Sequence, residues 1–190
     1  MTMTTTKTRK KTETPIETLP TNPFVYEILE LAAKQRTNAK KAEVLKTYEH
    51  DSVKSILIWN FDDSVISMLP EGEVPYGDLK DQNVYSGTLS DNLSREASGG
   101  EAATVQDLHG RGRTSLRKEY ENLYHYVRGG NDSLSSIRRE MMFINLLQGL
   151  HPKEAELICL VKDKKLTTKY NISFSVVQEA YPDIRWGGRS

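Results

Sequence analysis

From Arg138 to Ile184 the chain reads RREMMFINLLQGLHPKEAELICLVKDKKLTTKYNISFSVVQEAYPDI, and few architectures can absorb that run. Apolar residues recur every three to four positions, Gly149 interrupts them, Pro152 restarts them and Pro182 ends the last repeat. That period is the signature of helices burying one face. A glycine just past a repeat marks a helix end, and a proline at the first position of the next marks a start. Two core-facing helices and a short closing helix, Phe174 to Ala180 behind a Ser173 or Ser175 cap, are therefore expected. The basic knot Lys162-Asp163-Lys164-Lys165 sits at a helix C-terminus, where the dipole favours cations.

The same punctuation recurs upstream. NPFVYEILELAAKQR predicts a helix with Asn22 as cap, Pro23 at its first position and Phe24, Ile28, Leu31 and Ala32 on its core face. A second helix is expected from about Asn38 to Tyr48, with Ala42, Leu45 and Tyr48 inward and Lys40, Lys41 and Lys46 outward. A third, capped by Asp51 or Ser52, carries Val53, Ile56, Leu57 and Trp59; a short fourth is expected over Asp63–Leu69. Thr114 caps SLRKEYENLYHYVRGG, with Leu116, Tyr120, Leu123, Tyr124 and Val127 as its stripe and Gly129-Gly130 as its stop. Asp132 or Ser133 then starts a helix burying Leu134, Ile137, Met141, Ile144 and Leu147. The expected architecture is all-α: one helical domain of about six or seven helices over residues 23–184. Residues 1–22 read as a disordered Thr-rich tail, 70–112 as an inserted flexible acidic loop, and 185–190 as a polar tail, apart from Trp186.

Charge and composition exclude more than they assign. The 190 residues carry 26 Lys and Arg against 26 Asp and Glu. Residues 62–110 hold 10 acidic and 2 basic residues, so treating them as a loop leaves the remainder net basic. No apolar run approaches the roughly 18 residues that span a bilayer, and the N-terminus has no apolar core of a secretory signal. A single cysteine, Cys159, excludes an internal disulfide and fits a reducing cytoplasm; at an apolar helical position it reads as inert core. The four histidines lie far apart without metal-ligand spacing, and no phosphate loop, nucleophile elbow or paired-carboxylate pocket is present. The expectation is a non-enzyme with no catalytic residues, no metal and no cofactor.

Basic clusters remain: Lys40/Lys41/Lys46, Arg111/Arg113/Arg117/Lys118, Arg138/Arg139 and Lys162/Lys164/Lys165/Lys169. If they converge they supply phosphate contacts with strong salt dependence. The arginines of HGRGRTS, before a helix start, form a weaker anion candidate.

Two stretches sharpen that reading. EILELAAKQRTNAKKAEVLKTYEHDSVKSILIWNFDDSV, residues 27–65, resembles the opening of the helical N-terminal DNA-binding domain of bacteriophage ATP-dependent DNA ligases. SIRREMMFINLLQGLHPKEAELICLVKDKKL followed by SFSVVQEAYPDI resembles its end. LPEGEVPY, YHYVRGGN, RREMMFINLLQGLHPKEAELI and KDKKL together resemble an uncharacterised protein family of tailed phages infecting marine cyanobacteria. The adenylation motif KxDG is missing, no nucleotidyltransferase domain follows, and Thr167-Thr168-Lys169-Tyr170-Asn171 replaces the turn glycine of the ligases. The resemblance therefore implies not ligation but a module that grips duplex DNA in the cytoplasm of an infected host cell, in replication, repair or genome handling. Its expected contacts are Lys162, Lys164, Lys165, Lys169, Arg138, Arg139, Lys40 and Lys41. The alternative is an adaptor that engages a phage or host replication protein, or a virion component, without binding nucleic acid.

Overall fold

The structure, a computed structural model, describes residues 17–74 and 114–189. These form seven α-helices: α1 Val25–Lys34, α2 Asn38–Thr47, α3 Asp51–Phe61, α4 Leu116–Glu119, α5 Ser136–Gly149, α6 Pro152–Lys162 and α7 Phe174–Ala180. A 3-10 helix, Tyr120–Tyr126, continues α4, and a single 3-10 turn, Leu166–Thr168, follows α6. No β-strand occurs among the described residues; one isolated antiparallel bridge joins Ser67 to Val127. The candidate anion arginines Arg111 and Arg113, the acidic segment from residue 75 and most of the N-terminal tail lie outside the described residues.

The amphipathic faces meet in one apolar cluster. Ile28 and Leu29 of α1, Leu45 of α2, Ile56 and Leu57 of α3, Leu147 of α5, Leu157 and Ile158 of α6 and Val177 of α7 are all fully buried. The first and last helical stretches are adjacent: α2 packs on α7 and α3 on α6. Tyr181, just past α7, seals that junction with its hydroxyl donating to the Leu45 carbonyl at 2.7 Å.

Helix starts are set by tertiary partners more than by the nearest capping residue. α1 begins at Val25, not Pro23 behind an Asn22 cap. The Phe24 amide donates to Glu27 Oε2 at 2.8 Å, and the Val25 amide to Glu154 Oε1 of α6 at 3.2 Å. Glu154 Oε2 also accepts from the Leu116 amide at 2.7 Å, so one buried carboxylate serves the starts of both α1 and α4. α3 is capped by His50, whose Nδ1 accepts from the Ser52 amide at 3.1 Å, rather than by Asp51 or Ser52. His151 caps α6 in the same way through the Lys153 amide, and Pro152 occupies its first turn as expected.

Four expected features fold differently. Residues 63–69 are not helical: the Met68 amide donates to the Tyr126 carbonyl and the Arg128 amide to the Ile66 carbonyl, so the segment runs beside residues 126–128. The predicted helix after Thr114 is α-helical for one turn only. In a 3-10 helix residues three apart eclipse, so Tyr120, Leu123 and Tyr126 align; Tyr126 is buried while Tyr124, expected inside, is 48% exposed. α5 starts from a Ser135 cap and is turned relative to its expected stripe: Arg139, Phe143 and Leu147 face inward, and Ile137 and Met141 outward. Finally, both described tail pieces are engaged. Leu19 donates its amide to the Tyr48 hydroxyl, and the Gly187 amide and Arg189 guanidinium reach the Asp62 carboxylate.

Candidate nucleic-acid interface

The eight cationic side chains expected to contact phosphate divide into two groups. Four are built into the fold. Lys162 is 3% exposed, and its ammonium donates to the carbonyls of Pro70 and Gly72, both at 2.8 Å, and to Asp163 Oδ1 at 2.6 Å. An ammonium has three donors, so none is left for a phosphate. Lys164, at the positive φ of 56°, donates to the carbonyls of Trp59 and Asp62 and closes the C-terminal end of α3. Burial lowers its pKa against the raising effect of Asp63 and Asp62. Arg139 gives Nε to the His125 carbonyl at 2.9 Å and Nη2 to those of Asn131 and Leu134, both at 3.0 Å. Lys41, expected on the outside of α2, is 5% exposed and donates to the Asn171 carbonyl. These cations satisfy carbonyls of irregular segments and of helix ends, which have no ladder partner of their own.

The other four reach the surface region or its edge. Lys165 and Lys169 are exposed, Lys165 lying 3.8 Å from Glu71 and Lys169 paired with Glu156. Exposed pairs of this kind contribute little and exchange readily. Arg138 is exposed on the first turn of α5, and Lys40 is half-buried on α2. Arg139 holds the corner formed by residues 125–134, away from the Pro70, Gly72, Trp59 and Asp62 carbonyls that Lys162 and Lys164 hold. The Lys41–Asn171 bond does bring α2 onto the loop that carries Lys169.

That loop has a property that counting lysines misses. Between Asp163 and Glu179 there is no acidic residue. The exposed positions in it are Lys165, Thr167, Thr168, Lys169, Asn171, Ser173, Phe174, Ser175 and Gln178, while Leu166, Tyr170 and Ile172 are buried and anchor it. Ammonium, hydroxyl and amide groups are the side chains that contact phosphate and sugar. The signal in the sequence was the acid-free interval itself, which the alternating Leu166, Tyr170 and Ile172 break into outward polar positions.

At its far end the loop meets an aromatic group. The Phe174 ring lies 4.8 Å from that of Trp186 and 6.0 Å from that of Phe61. Beside it Asp62 accepts from the Ser64 amide and hydroxyl, the Gly187 amide and Arg189. Burial raises its pKa, but the Ser64 hydroxyl, the Gly187 and Ser64 amides and Arg189 together overcome that and bring it down to about 2. Cys159 on α6 is half-buried, and burial pushes its thiol up to about 12.

The described residues hold 18 of the 26 Lys and Arg and 19 of the 26 Asp and Glu, Asp62, Asp63, Glu71 and Glu73 among them. Among the described residues no helix is long and apolar enough to cross a membrane.

Fold and surface together define an all-α module whose irregular segments are pinned by buried cations. Residues 28–99 and 103–168 match the model of a Family of unknown function (DUF6433), and the chain belongs to that family. No curated protein and no solved structure matches it.

Proposed function

We propose that the chain is a non-enzymatic helical module that binds duplex DNA through phosphate contacts, acting in the cytoplasm of a phage-infected cell. The observation that carries this reading is the acid-free interval after Asp163, with Lys165, Thr167, Thr168, Lys169, Asn171, Ser173 and Ser175 exposed on a buried framework of Leu166, Tyr170 and Ile172. The Lys41–Asn171 bond supports this reading, since it holds α2, from the first stretch that resembles the ligase DNA-binding domain, against the loop between the two parts of the second. In this reading Lys162, Lys164, Lys41 and Arg139 shape the surface, and the contacts fall to Lys165, Lys169 and the neighbouring hydroxyl and amide groups.

Anisotropy of a labelled duplex, titrated from about 50 to 200 mM salt, tests it. Affinity should fall steeply with salt, and Lys165→Glu with Lys169→Glu should reduce the log–log slope by about 2. Absence of binding at low salt, or binding indifferent to both substitutions, overturns the reading.

A protein-binding adaptor is the second reading, favoured by the outer face of α5, where Ile137 is 73% and Met141 47% exposed one turn apart. A partner retained after nuclease treatment and lost with Ile137→Glu supports it.

A further inference from the structure

We propose that Phe174, Trp186 and Phe61 form a stacking platform for an unpaired nucleobase, so that the DNA preferred by this surface is a duplex interrupted by a single-stranded gap. The inference rests on the DNA-binding reading above and names the substrate class of the same surface.

Phe174 is the only large apolar residue exposed in the acid-free loop, at 37%, between the exposed hydroxyls of Ser173 and Ser175, which lie 2.9 Å apart. α7 does not need it inside: Val176, Val177 and Ala180 already hold that helix in the core. The chain also brings a second ring to it. Gly187 and Arg189, bound to Asp62, hold the segment on which Trp186 stands edge-on to Phe174 with an interplanar angle of 76°. Phe61, at the end of α3, lies 6.0 Å away and is tilted by 35°.

Two physical reasons select a nucleobase as occupant. A base offers a flat π-face that stacks on an aromatic ring without sequence preference. It is also tethered through one sugar to a phosphate, and the groups next to the rings are those that phosphate accepts: Ser173, Ser175, the exposed Arg185 and, along the loop, Lys169 and Lys165. Of the acids around the loop, Asp62 is matched by Arg189 and two backbone amides, Asp183 by Lys54 at 3.2 Å, Glu71 lies 3.8 Å from Lys165 and Glu156 pairs with Lys169; Asp63 and Glu179 are exposed. A base paired inside an intact duplex cannot present its face, so only an interrupted strand uses the platform.

The test compares the full chain on an intact duplex and on the same duplex with a short single-stranded gap. The gapped DNA should bind about ten-fold more tightly, as one stacked base allows. Phe174→Ala should abolish that preference while leaving intact-duplex affinity within about two-fold. Of the two tryptophans, Trp59 is buried, so quenching by gapped but not intact DNA reports Trp186, and Trp186→Phe should remove it. Equal affinities with unchanged fluorescence, or a gap preference that survives Phe174→Ala, overturn the platform while leaving duplex binding intact. Loss of binding to every DNA at low salt overturns the DNA reading and the platform with it. Binding to gapped DNA alone keeps the platform and removes the duplex contacts.

Discussion

Lys41 and Asn171 are 130 residues apart in the chain, yet the lysine ammonium donates to the asparagine carbonyl at 2.5 Å. The bond joins α2 to the loop before α7 and turns a residue of apparently exposed helical phase into an interior strut. Lys41→Met keeps the aliphatic stem and removes the charge, leaving a carbonyl without its donor. A charged hydrogen bond of this kind contributes roughly 1.5–3 kcal/mol. Urea denaturation of Lys41→Met should show a loss of that order, whereas Lys46→Ala, at an exposed position of the same helix, should stay within about 0.5 kcal/mol. Equal effects of the two would show that the bond does not contribute in solution.

Asp62 provides an acid-sensitive clasp for the C-terminal residues. Its side chain is 2% exposed, and its pKa is lowered to about 2 from 3.8. For a carboxylate with a depressed folded-state pKa, the stabilisation is present above the unfolded value and is lost as pH falls through the folded one. Between about pH 4 and pH 2 the fold should therefore lose about 2 kcal/mol from this group. Asp62→Asn should lack that component, and the fluorescence of Trp186 should shift as Gly187 and Arg189 are released. An acid profile identical in the variant would remove Asp62 from the account.

The phase of α5 makes a contrasting pair. Ile137 points to solvent and Phe143 into the core at 1% exposure, opposite to an apolar stripe running through Ile137, Met141 and Ile144. Ile137→Lys should change stability by no more than about 0.5 kcal/mol, and Phe143→Ala should cost about 3–5 kcal/mol. Thermal or urea unfolding of the two variants decides the phase directly, since the reverse ranking is required if Ile137 is buried.

What the sequence revealed about the fold follows from which signals are local. The helices α2, α3, α6 and α7 are readable because their apolar period and their Gly, Pro and Ser boundaries lie within one segment. α5 is readable as a helix but not in phase: Arg139 is drawn inward by three carbonyls of residues 125–134, and nothing within α5 announces them. The same limit applies to the basic knot. Lys162, Lys164 and Lys165 look alike in sequence, and they differ only because the carbonyls of Trp59, Asp62, Pro70 and Gly72 are waiting for the first two. Residue counts identify cations; only long-range packing decides which of them spend their donors inside the fold. The acid-free interval was visible throughout, but its outward positions became specific once Leu166, Tyr170 and Ile172 were seen to be buried.

Glu154 couples stability to pH with a sign opposite to that of Asp62. The carboxylate is fully buried in the first turn of α6 and receives the amides of Val25 and Leu116. Burial raises its pKa from 4.5 to about 7, and the nearby Glu27 adds to that, against the Leu116 and Val25 amides and Arg117. Between pH 4.5 and about 7 the folded state then holds a proton that the unfolded state has released. Stability from this group is highest at and below pH 4.5, declines as pH rises to about 7 and is level beyond it. Glu154→Gln keeps a carbonyl acceptor and cannot titrate. The unfolding free energy of the native chain relative to Glu154→Gln should therefore fall by about 3 kcal/mol between pH 4.5 and pH 8. A difference that is flat across this range, or one that grows with pH, would mean that the two amide donors and Arg117 outweigh burial and keep the carboxylate charged where it joins α1, α4 and α6.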